Sequence, residues 1–212
     1  MENNEKKVPE VVIKRLPRYY RYLIELAAQD IHRISSGALS EIMGVTASQI
    51  RQDLNCFGGF GQQGYGYNVD YLKDEIGNIL GLNDGDTMII VGAGNLGSAL
   101  ANHASFERRG FKLVGIFDSD ENKVGKEIRA TRIRPVSELA EFVRENEVDI
   151  AILTVPNAAV HDVAKLLVEN GVKGLLNFSY SELELPEHVA VENVHLSDPL
   201  MTLAYKIKEN NQ

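Results

Sequence analysis

The spacing of apolar residues divides the chain into two regions. Up to about residue 80 apolar side chains recur at helical spacing, and beyond it short apolar runs alternate with amphipathic segments. The first pattern predicts a helix over residues 11–28, which Pro17 kinks or interrupts because proline lacks an amide donor. A second predicted helix is capped by Ser35 or Ser36 and ends at Gly44.

A third helix is predicted from about Ala47, because Thr46 and Gln49 have the spacing of a capping box. The glycine-rich stretch FGGFGQQGYGYNV that follows predicts a tight hairpin. A helix, a helix-turn-helix and a hairpin follow one another in a winged-helix module, which binds DNA. The competing interpretation is a plain three-helix scaffold whose hairpin contacts nothing.

The second region predicts an α/β domain. A connecting helix over residues 71–80 precedes the strand TMIIV, a helix from Asn95 to about Glu107 and the strand KLVGIF. Further strands are predicted at DIAILTV, GLLNF and VAVENV, with helices at VSELAEFVREN and NAAVHDVAKLLVENG. Strands that alternate with helices predict a parallel, doubly wound sheet of the Rossmann type.

The last segment predicts a separate helix. Ser197 or Asp198 is expected to cap it and Pro199 to stand in its first turn. An apolar stripe that needs a surface to cover is formed by Leu200, Leu203, Ala204 and Ile207. The predicted domains are therefore residues 1–80, 81–196 and 197–212.

Composition narrows the function classes. A net charge of −8 argues against an electrostatic grip on nucleic acid by the whole molecule, but five cations lie between Lys14 and Arg33. One cysteine, Cys56, excludes an internal disulfide. No apolar run is long enough to span a bilayer, so we expect a cytoplasmic protein without a membrane partner.

Gly92, Gly94 and Gly97 form a GxGxxG motif between a predicted strand and a predicted helix, which is the context that dinucleotide binding requires. Asp118 ends the next strand, 21 residues after Gly97. A carboxylate there accepts hydrogen bonds from the adenosine ribose and repels a 2'-phosphate, so NAD(H) is favoured over NADP(H). The competing interpretation of Asp118 is a surface carboxylate.

Other residues are candidates for the same site. Lys123 either contacts the adenosine or is solvated, and the polar residues at the ends of later strands either adjoin the nicotinamide ribose or are ordinary loop residues. The predicted cofactor-binding set is Gly92, Ala93, Gly94, Asn95, Leu96, Gly97, Asp118, Lys123, Thr154, Val155, Pro156 and Asn177.

Signatures of catalysis are missing from the sequence. It has no Tyr-x-x-x-Lys pair, no His-x-x-x-His pair and no Cys-x-x-Cys pair, so neither a reductase of that class nor a metal site is expected. His103 is the one candidate general acid beside the nicotinamide, and a hydrogen-bonding wall residue is the alternative. We therefore expect a protein that is not an enzyme.

The chain resembles the Rex family of bacterial redox-sensing transcriptional repressors. The resemblance rests on RLPRYYRYL, RQDLNCFGGFGQQGYGY, VGAGNLGSAL, ILTVP, GLLNF and VAVENV, and it covers nearly the whole sequence. It implies a homodimer that binds palindromic operator DNA when NADH is low and releases it when NADH rises. It also implies that the C-terminal helix is exchanged between subunits.

The resemblance further implies a polar cluster between subunits that senses the redox state of the cofactor. By position, its members here are Asp198, Arg21 and His103. His103 departs from the tyrosine of the family, and a histidine would link redox sensing to pH.

The expected DNA-contacting residues are Thr46, Ser48, Gln49, Arg51, Gln52, Gln62, Gln63 and Tyr65. Family members usually carry a basic residue after Arg51 and one or two in the wing, where this chain has Gln52, Gln62 and Gln63. Two alternatives stay open: a dimeric NAD(H)-binding protein with a degenerate winged helix, and an NAD-dependent oxidoreductase.

The glutamines generate a prediction about salt. Glutamine reads adenine but does not neutralise phosphate, so DNA binding should be weaker and less salt-sensitive than in a lysine-bearing relative. The slope of log affinity against log salt concentration measures this. A slope as steep as that of the lysine-bearing relative contradicts the prediction.

Overall fold

A computed structural model describes residues 8–62 and 64–211, with Gln62 described by its backbone only. The chain divides into two compact units between Asn83 and Asp84, close to the boundary expected after residue 80. Each unit has a hydrophobic core of its own. Among the described residues no helix combines the length and apolar character that a bilayer crossing requires.

The first unit is built from short helices and a small antiparallel sheet. Its elements are α1 (Glu10–Ile13), α2 (Leu16–Ala28), β1 (Arg33–Ile34), α3 (Ser36–Met43), α4 (Ala47–Asn55), β2 (Gly61–Gln62), β3 (Gly66–Asn68) and α5 (Val69–Ile79). The predicted interruption of the first helix is confirmed: α1 and α2 are separate, and Pro17 stands in the first turn of α2. Proline is tolerated there, because the backbone amides of a helix's first turn have no carbonyl partner within the helix.

The helix-turn-helix of α3 and α4 has the predicted ends. Ser35 Oγ accepts the amide of Ala38 at 3.0 Å, and Gly44 ends α3 with a positive φ of 63°. Thr46 Oγ1 accepts the amide of Gln49 at 3.1 Å. In a capping box the side chain of Gln49 would also accept the backbone amide of Thr46. This part of the prediction is wrong, because the Gln49 side chain donates to Asp53 instead.

The predicted hairpin is present as β2 and β3, and a strand that the sequence did not predict, β1, extends its sheet in the order β1-β3-β2. Gly66 has a φ of 69°, and a Cβ there would lie 2.5 Å from the carbonyl oxygen of Ile34. Only glycine therefore allows β3 to approach β1 at this point. Gln63 lies outside the described residues.

A buried carboxylate ties α2 to α4. Asp53 is 1% exposed and accepts Arg15 Nε at 2.6 Å and Arg15 Nη2 at 2.7 Å. The hydroxyl of Tyr19 and Nε2 of Gln49 also donate to it, each at 2.8 Å. Burial alone would raise the pKa of Asp53, but the bonds from these side chains outweigh it and hold the pKa below its ordinary value.

The second unit is an α/β domain. Its elements are β4 (Thr87–Val91), α6 (Asn95–Ala101), β5 (Lys112–Asp118), β6 (Glu127–Ile128), β7 (Thr131–Pro135), α7 (Leu139–Asn146), β8 (Ile150–Leu153), α8 (Asn157–Glu169), β9 (Gly174–Asn177), β10 (Ala190–Asn193) and α9 (Ser197–Asn210). The strand order is β10-β9-β8-β4-β5-β7-β6, and β6 alone is antiparallel to its neighbour. The predicted parallel, doubly wound sheet is confirmed, although β6 and β7 were not predicted.

Alternating residues of β4 face opposite layers. Ile89 and Val91 pack in the core that α7 and α8 cover, while Met88 and Ile90 pack on the other face with Ala101 of α6. The predicted helix to Glu107 is wrong, because α6 ends at Ala101.

The C-terminal helix α9 is covered by nothing within the described chain. Pro199 stands in its first turn as predicted, but neither Ser197 nor Asp198 caps it: the N-cap residue is Leu196, without a side-chain hydrogen bond. No residue of α9 is buried, and Leu200 is 66% exposed. The apolar stripe is therefore available to a partner.

The cluster around Asp53 generates a prediction about stability. D53N should lower the free energy of unfolding by about 3 kcal/mol at pH 7, because Arg15 loses its charged partner. A carboxylate whose pKa is lowered by folding stabilises above its unfolded pKa and loses this effect as the pH falls through the folded pKa. The difference between wild type and D53N should therefore shrink below about pH 4.

Urea unfolding of the full chain at several pH values, followed by circular dichroism, measures this effect. D70N is the matched control, because the Asp70 side chain is 55% exposed, and it should change stability by less than about 1 kcal/mol. A D53N protein as stable as D70N at pH 7 would show that the cluster does not stabilise the unit.

Candidate nucleotide-binding and nucleic-acid sites

The loop between β4 and α6 lies at the carboxyl edge of the sheet, where the chain order reverses. Strand β4 has β5 on one side and β8 on the other. In sheets of this kind the loops on the two sides of such a reversal diverge, and ligands bind in the crevice between them.

Glycines allow the loop to fold onto its neighbours. Gly92 has a φ of 103°, and a Cβ there would lie 2.6 Å from the carbonyl oxygen of Thr154. A Cβ on Gly97 would lie 1.8 Å from the carbonyl oxygen of Gly92. A Cβ on Gly94 would meet nothing within 4 Å, so its open side leaves the backbone accessible to a ligand.

Asp118 supports this loop from the end of β5. Its carboxylate is buried and accepts the amide of Ala93 at 2.6 Å through Oδ2 and the amide of Asp120 at 2.8 Å through Oδ1. Lys123 Nζ lies 3.0 Å from Oδ2. Burial would raise the pKa of Asp118, but the bonds from Asp120, Lys123 and Ala93 hold it below its ordinary value.

These contacts change both alternatives that the sequence left open. Asp118 is not a surface carboxylate, and Lys123 is neither simply solvated nor free, because it forms an ion pair with Asp118. The structure thus brings the glycine loop, the end of β5 and Lys123 together at the carboxyl edge of the sheet. Asn95 is exposed there and Leu96 is half-buried.

The residues after β8 hold the loop. Thr154 Oγ1 donates to the carbonyl oxygen of Gly92 at 2.7 Å. Val155 packs partly buried against the core, and Pro156 is exposed at the start of α8. Thr154 and the glycine loop are therefore joined by a hydrogen bond, which the sequence did not indicate.

Asn177 has a local structural role. Its Nδ2 donates to the carbonyl oxygen of Ser181 and to Asn193 Oδ1, and its Oδ1 accepts the amide and the hydroxyl of Ser179. An amide side chain has two donor and two acceptor positions, and all are used here. The side chain therefore fixes the loop after β9, and its place beside the nicotinamide ribose stays a prediction.

The three predicted redox-switch residues lie on different elements. His103 follows α6 instead of lying on it, is exposed, and packs edge-on against Phe106 with ring centroids 5.4 Å apart. Asp198 lies in the first turn of α9. Arg21 belongs to α2 in the other unit, where its guanidinium lies 5.7 Å from the ring centroid of Tyr22.

His195 lies next to Asp198, which the sequence did not suggest. Its Nδ1 lies 3.7 Å from Asp198 Oδ2, and its ring stacks on Tyr180 with centroids 5.9 Å apart. Its Nε2 is buried without a hydrogen-bond partner in the described part of the chain. Asp198 therefore pairs with His195 at the base of α9, and no sequence signal pointed to that pair.

Helix α4 carries an exposed polar stripe. Ser48, Arg51, Gln52 and Asn55 are exposed at spacings of three and four residues, so they share one face. Gln49 is half-buried and donates to Asp53, so its side chain supports the helix, and its contact with DNA stays a prediction. Asn55 was not predicted, because its place on the stripe depends on where α4 ends.

The stripe borders a cleft of about 510 Å³ between α4, the start of α3 and the hairpin. Arg51 Nη1 donates to Ser36 Oγ at 2.8 Å, which holds the guanidinium at the cleft. On the hairpin Tyr65 is 70% exposed, and the guanidinium of Arg33 lies 5.8 Å from its ring centroid. The described residues contain no group of three or more metal-ligating side chains.

Comparisons with family models agree with this division. A model described as the N-terminus of putative DNA-binding proteins matches residues 7–55, and one described as a CoA binding domain matches residues 83–180.

Similar proteins are named redox-sensing transcriptional repressor Rex. One from Caldicellulosiruptor saccharolyticus is 54% identical over 97% of this chain and 94% of its own length. One from Clostridium perfringens is 54% identical over 98% of each chain.

Solved structures of a Rex-family repressor called RSP superpose on this chain. RSP in complex with beta-NAD+ and operator DNA has a TM-score of 0.91 and 51% identity, and covers 96% of this chain and 94% of its own. RSP in complex with beta-NADH has a TM-score of 0.91 and 48% identity, and covers 97% of each chain.

The glycine loop generates a prediction from two matched substitutions. G97A should destabilise the second unit by about 3 kcal/mol, because the added Cβ meets backbone, and this exceeds the gain of about 1 kcal/mol that alanine brings to a helix. G94A should leave stability unchanged within about 0.5 kcal/mol and weaken NADH binding, since its Cβ enters the open side of the loop.

Thermal unfolding and titration with NADH separate the two effects. A G94A protein that binds NADH as tightly as wild type would show that the nucleotide does not approach the loop at Gly94.

Proposed function

Since this chain belongs to the Rex family of redox-sensing transcriptional repressors, we propose that it is a homodimeric repressor that binds palindromic operator DNA and releases it when NADH replaces NAD+. The observation that carries the proposal is the presence, in one chain, of a helix-turn-helix with an exposed polar stripe and a glycine loop built for a dinucleotide. The proposal includes no catalytic residues.

The stripe on α4 is the DNA-reading surface. Gln52 and Asn55 each present an amide, which pairs with adenine through one donor and one acceptor in the major groove. Arg51, held by Ser36, supplies positive charge next to them, and Tyr65 extends from the hairpin. Thr46 and Gln49 hold α4 in place.

The glycine loop is the NAD(H) site. The open side at Gly94 and the amides of Asn95 and Leu96 suit the pyrophosphate, while Gly92, Gly97 and Thr154 keep the loop closed on the sheet. Asp118 suits the adenosine ribose. When bound, the cofactor brings a nicotinamide ring that carries one more positive charge in NAD+ than in NADH.

The second copy of the chain covers two apolar surfaces. One is the stripe of α9, and the other is an apolar cavity of about 330 Å³ on the sheet face that includes Met88, Phe106, Phe111 and Ile152. Exposed apolar surfaces of this kind mark protein interfaces. Exchange of α9 between two-fold related subunits would cover both kinds of surface and would present two α4 helices to a palindrome.

Redox sensing depends on groups near the nicotinamide that respond to its charge. His103, Asp198 and Arg21 form this set, and His195 joins it through its pairing with Asp198. A difference of about 1 to 3 kcal/mol between the two cofactors is enough for useful regulation of DNA binding.

Selection from random DNA tests the function. Selection by the purified chain, repeated with NAD+ and with NADH, should enrich a palindrome that is lost with NADH. R51A should reduce affinity for the enriched site at least about tenfold, since a charged contact is lost. K165A, which removes an exposed cation from α8, is the control and should bind like wild type.

Other outcomes favour other functions. If no sequence is enriched under any condition while NADH binds, the winged helix is degenerate. Turnover of an added substrate with a change in NADH absorbance would indicate an oxidoreductase.

A further inference from the structure

The turn after β5 places Lys123 next to the buried carboxylate of Asp118. Asp120 Oδ1 accepts the amide and the side-chain amide of Asn122, at 3.0 and 2.9 Å. The amide of Lys123 donates to the carbonyl oxygen of Asp120 at 2.9 Å. The turn is therefore fixed by its own hydrogen bonds, and it returns Lys123 Nζ to within 3.0 Å of Asp118 Oδ2.

The carboxylate of Asp118 is nearly saturated. It has about four acceptor positions, and the amides of Ala93 and Asp120 and the ammonium of Lys123 occupy three. One position remains for a ribose hydroxyl. A carboxylate tied to β5, to the glycine loop and to Lys123 has little freedom to turn away from that position.

The charge at this edge differs from that of a lone carboxylate. Asp118 and Lys123 together are neutral, and the Lys123 side chain is 35% exposed, so its ammonium is within reach of a ligand. A 2'-phosphate brought to the edge meets the carboxylate that repels it and, beside it, a cation that would pair with it. The ion pair with Asp118, at 3.0 Å, and a longer one with Asp120, at 3.9 Å, keep that cation from the phosphate.

We propose that Lys123 is a second specificity-determining residue of the adenosine ribose site. Paired with Asp118, it positions the carboxylate for a ribose diol. Once Asp118 is replaced by a neutral residue, Lys123 becomes the cation that binds a 2'-phosphate, so the chain holds a latent NADPH site that the ion pair masks. This inference rests on the proposed binding of NAD(H).

Titrations of NADH and NADPH with a set of variants test it. The chain contains no tryptophan, so the fluorescence of the reduced nicotinamide reports binding without tryptophan emission beside it. The variants are D118S, D118N, K123M, K123R and the double variant D118S/K123M. K126M is the matched control, because Lys126 is an exposed cation three residues further along. Circular dichroism establishes that each variant is folded.

D118S should raise the affinity for NADPH about tenfold over wild type, and K123M in the same chain should abolish that gain. D118N keeps the shape of the side chain and should show the same direction of change if D118S fails to fold. In a chain that keeps Asp118, K123M should weaken NADH binding. K123R, which keeps the positive charge, and K126M should both bind NADH like wild type.

The outcomes separate this inference from the proposed function. If wild type binds neither NADH nor NADPH, the proposed NAD(H) site is wrong. If wild type binds NADH but D118S and D118S/K123M gain equal affinity for NADPH, or D118S and D118N gain none, Lys123 has no role in specificity and the inference is overturned. Equal binding of NADH and NADPH by wild type overturns it as well.

Discussion

A buried carboxylate has to be surrounded by hydrogen-bond donors, and each unit of this chain is organised around one. Removing an ionised carboxylate from water is costly unless donors replace the water, and the donors must be brought from distant parts of the sequence. Asp53 brings together α2 and α4, and Asp118 brings together β5 and the glycine loop. Both carboxylates therefore set the positions of the elements that carry the two proposed binding surfaces.

The two surfaces follow from this arrangement. With Gln49 and Arg15 bound to Asp53, the outer face of α4 is left to Ser48, Arg51, Gln52 and Asn55. With Ala93, Asp120 and Lys123 bound to Asp118, one acceptor position of the carboxylate remains. The contacts that support α4 lie behind its exposed face, whereas Asp118 both supports the glycine loop and is the residue proposed to bind the ribose.

Local signals made much of the fold predictable. The GxGxxG spacing, the glycine at the end of α3 and the proline in α2 act through backbone conformation within a few residues, so the sequence alone identified them. The Asp53 cluster was not predictable, because Arg15 and Asp53 are 38 residues apart and their pairing depends on how two helices cross. The contacts of Asn177 and His195 were missed for the same reason, since their partners are set by the loops around them. The early end of α6 was missed because no glycine or proline marks it; the side chain of Asn102 donates to the carbonyl oxygen of Ser98 at the helix end.

The exposed stripe of α9 has a consequence for the chain as a whole. If a second copy covers Leu200 and its neighbours, the free energy of that contact belongs to the folded dimer and follows mass action. Dilution then acts as a denaturing condition, and the melting temperature rises with protein concentration. A cell that makes little of this protein would hold a less stable protein than one that makes much of it, with the same sequence.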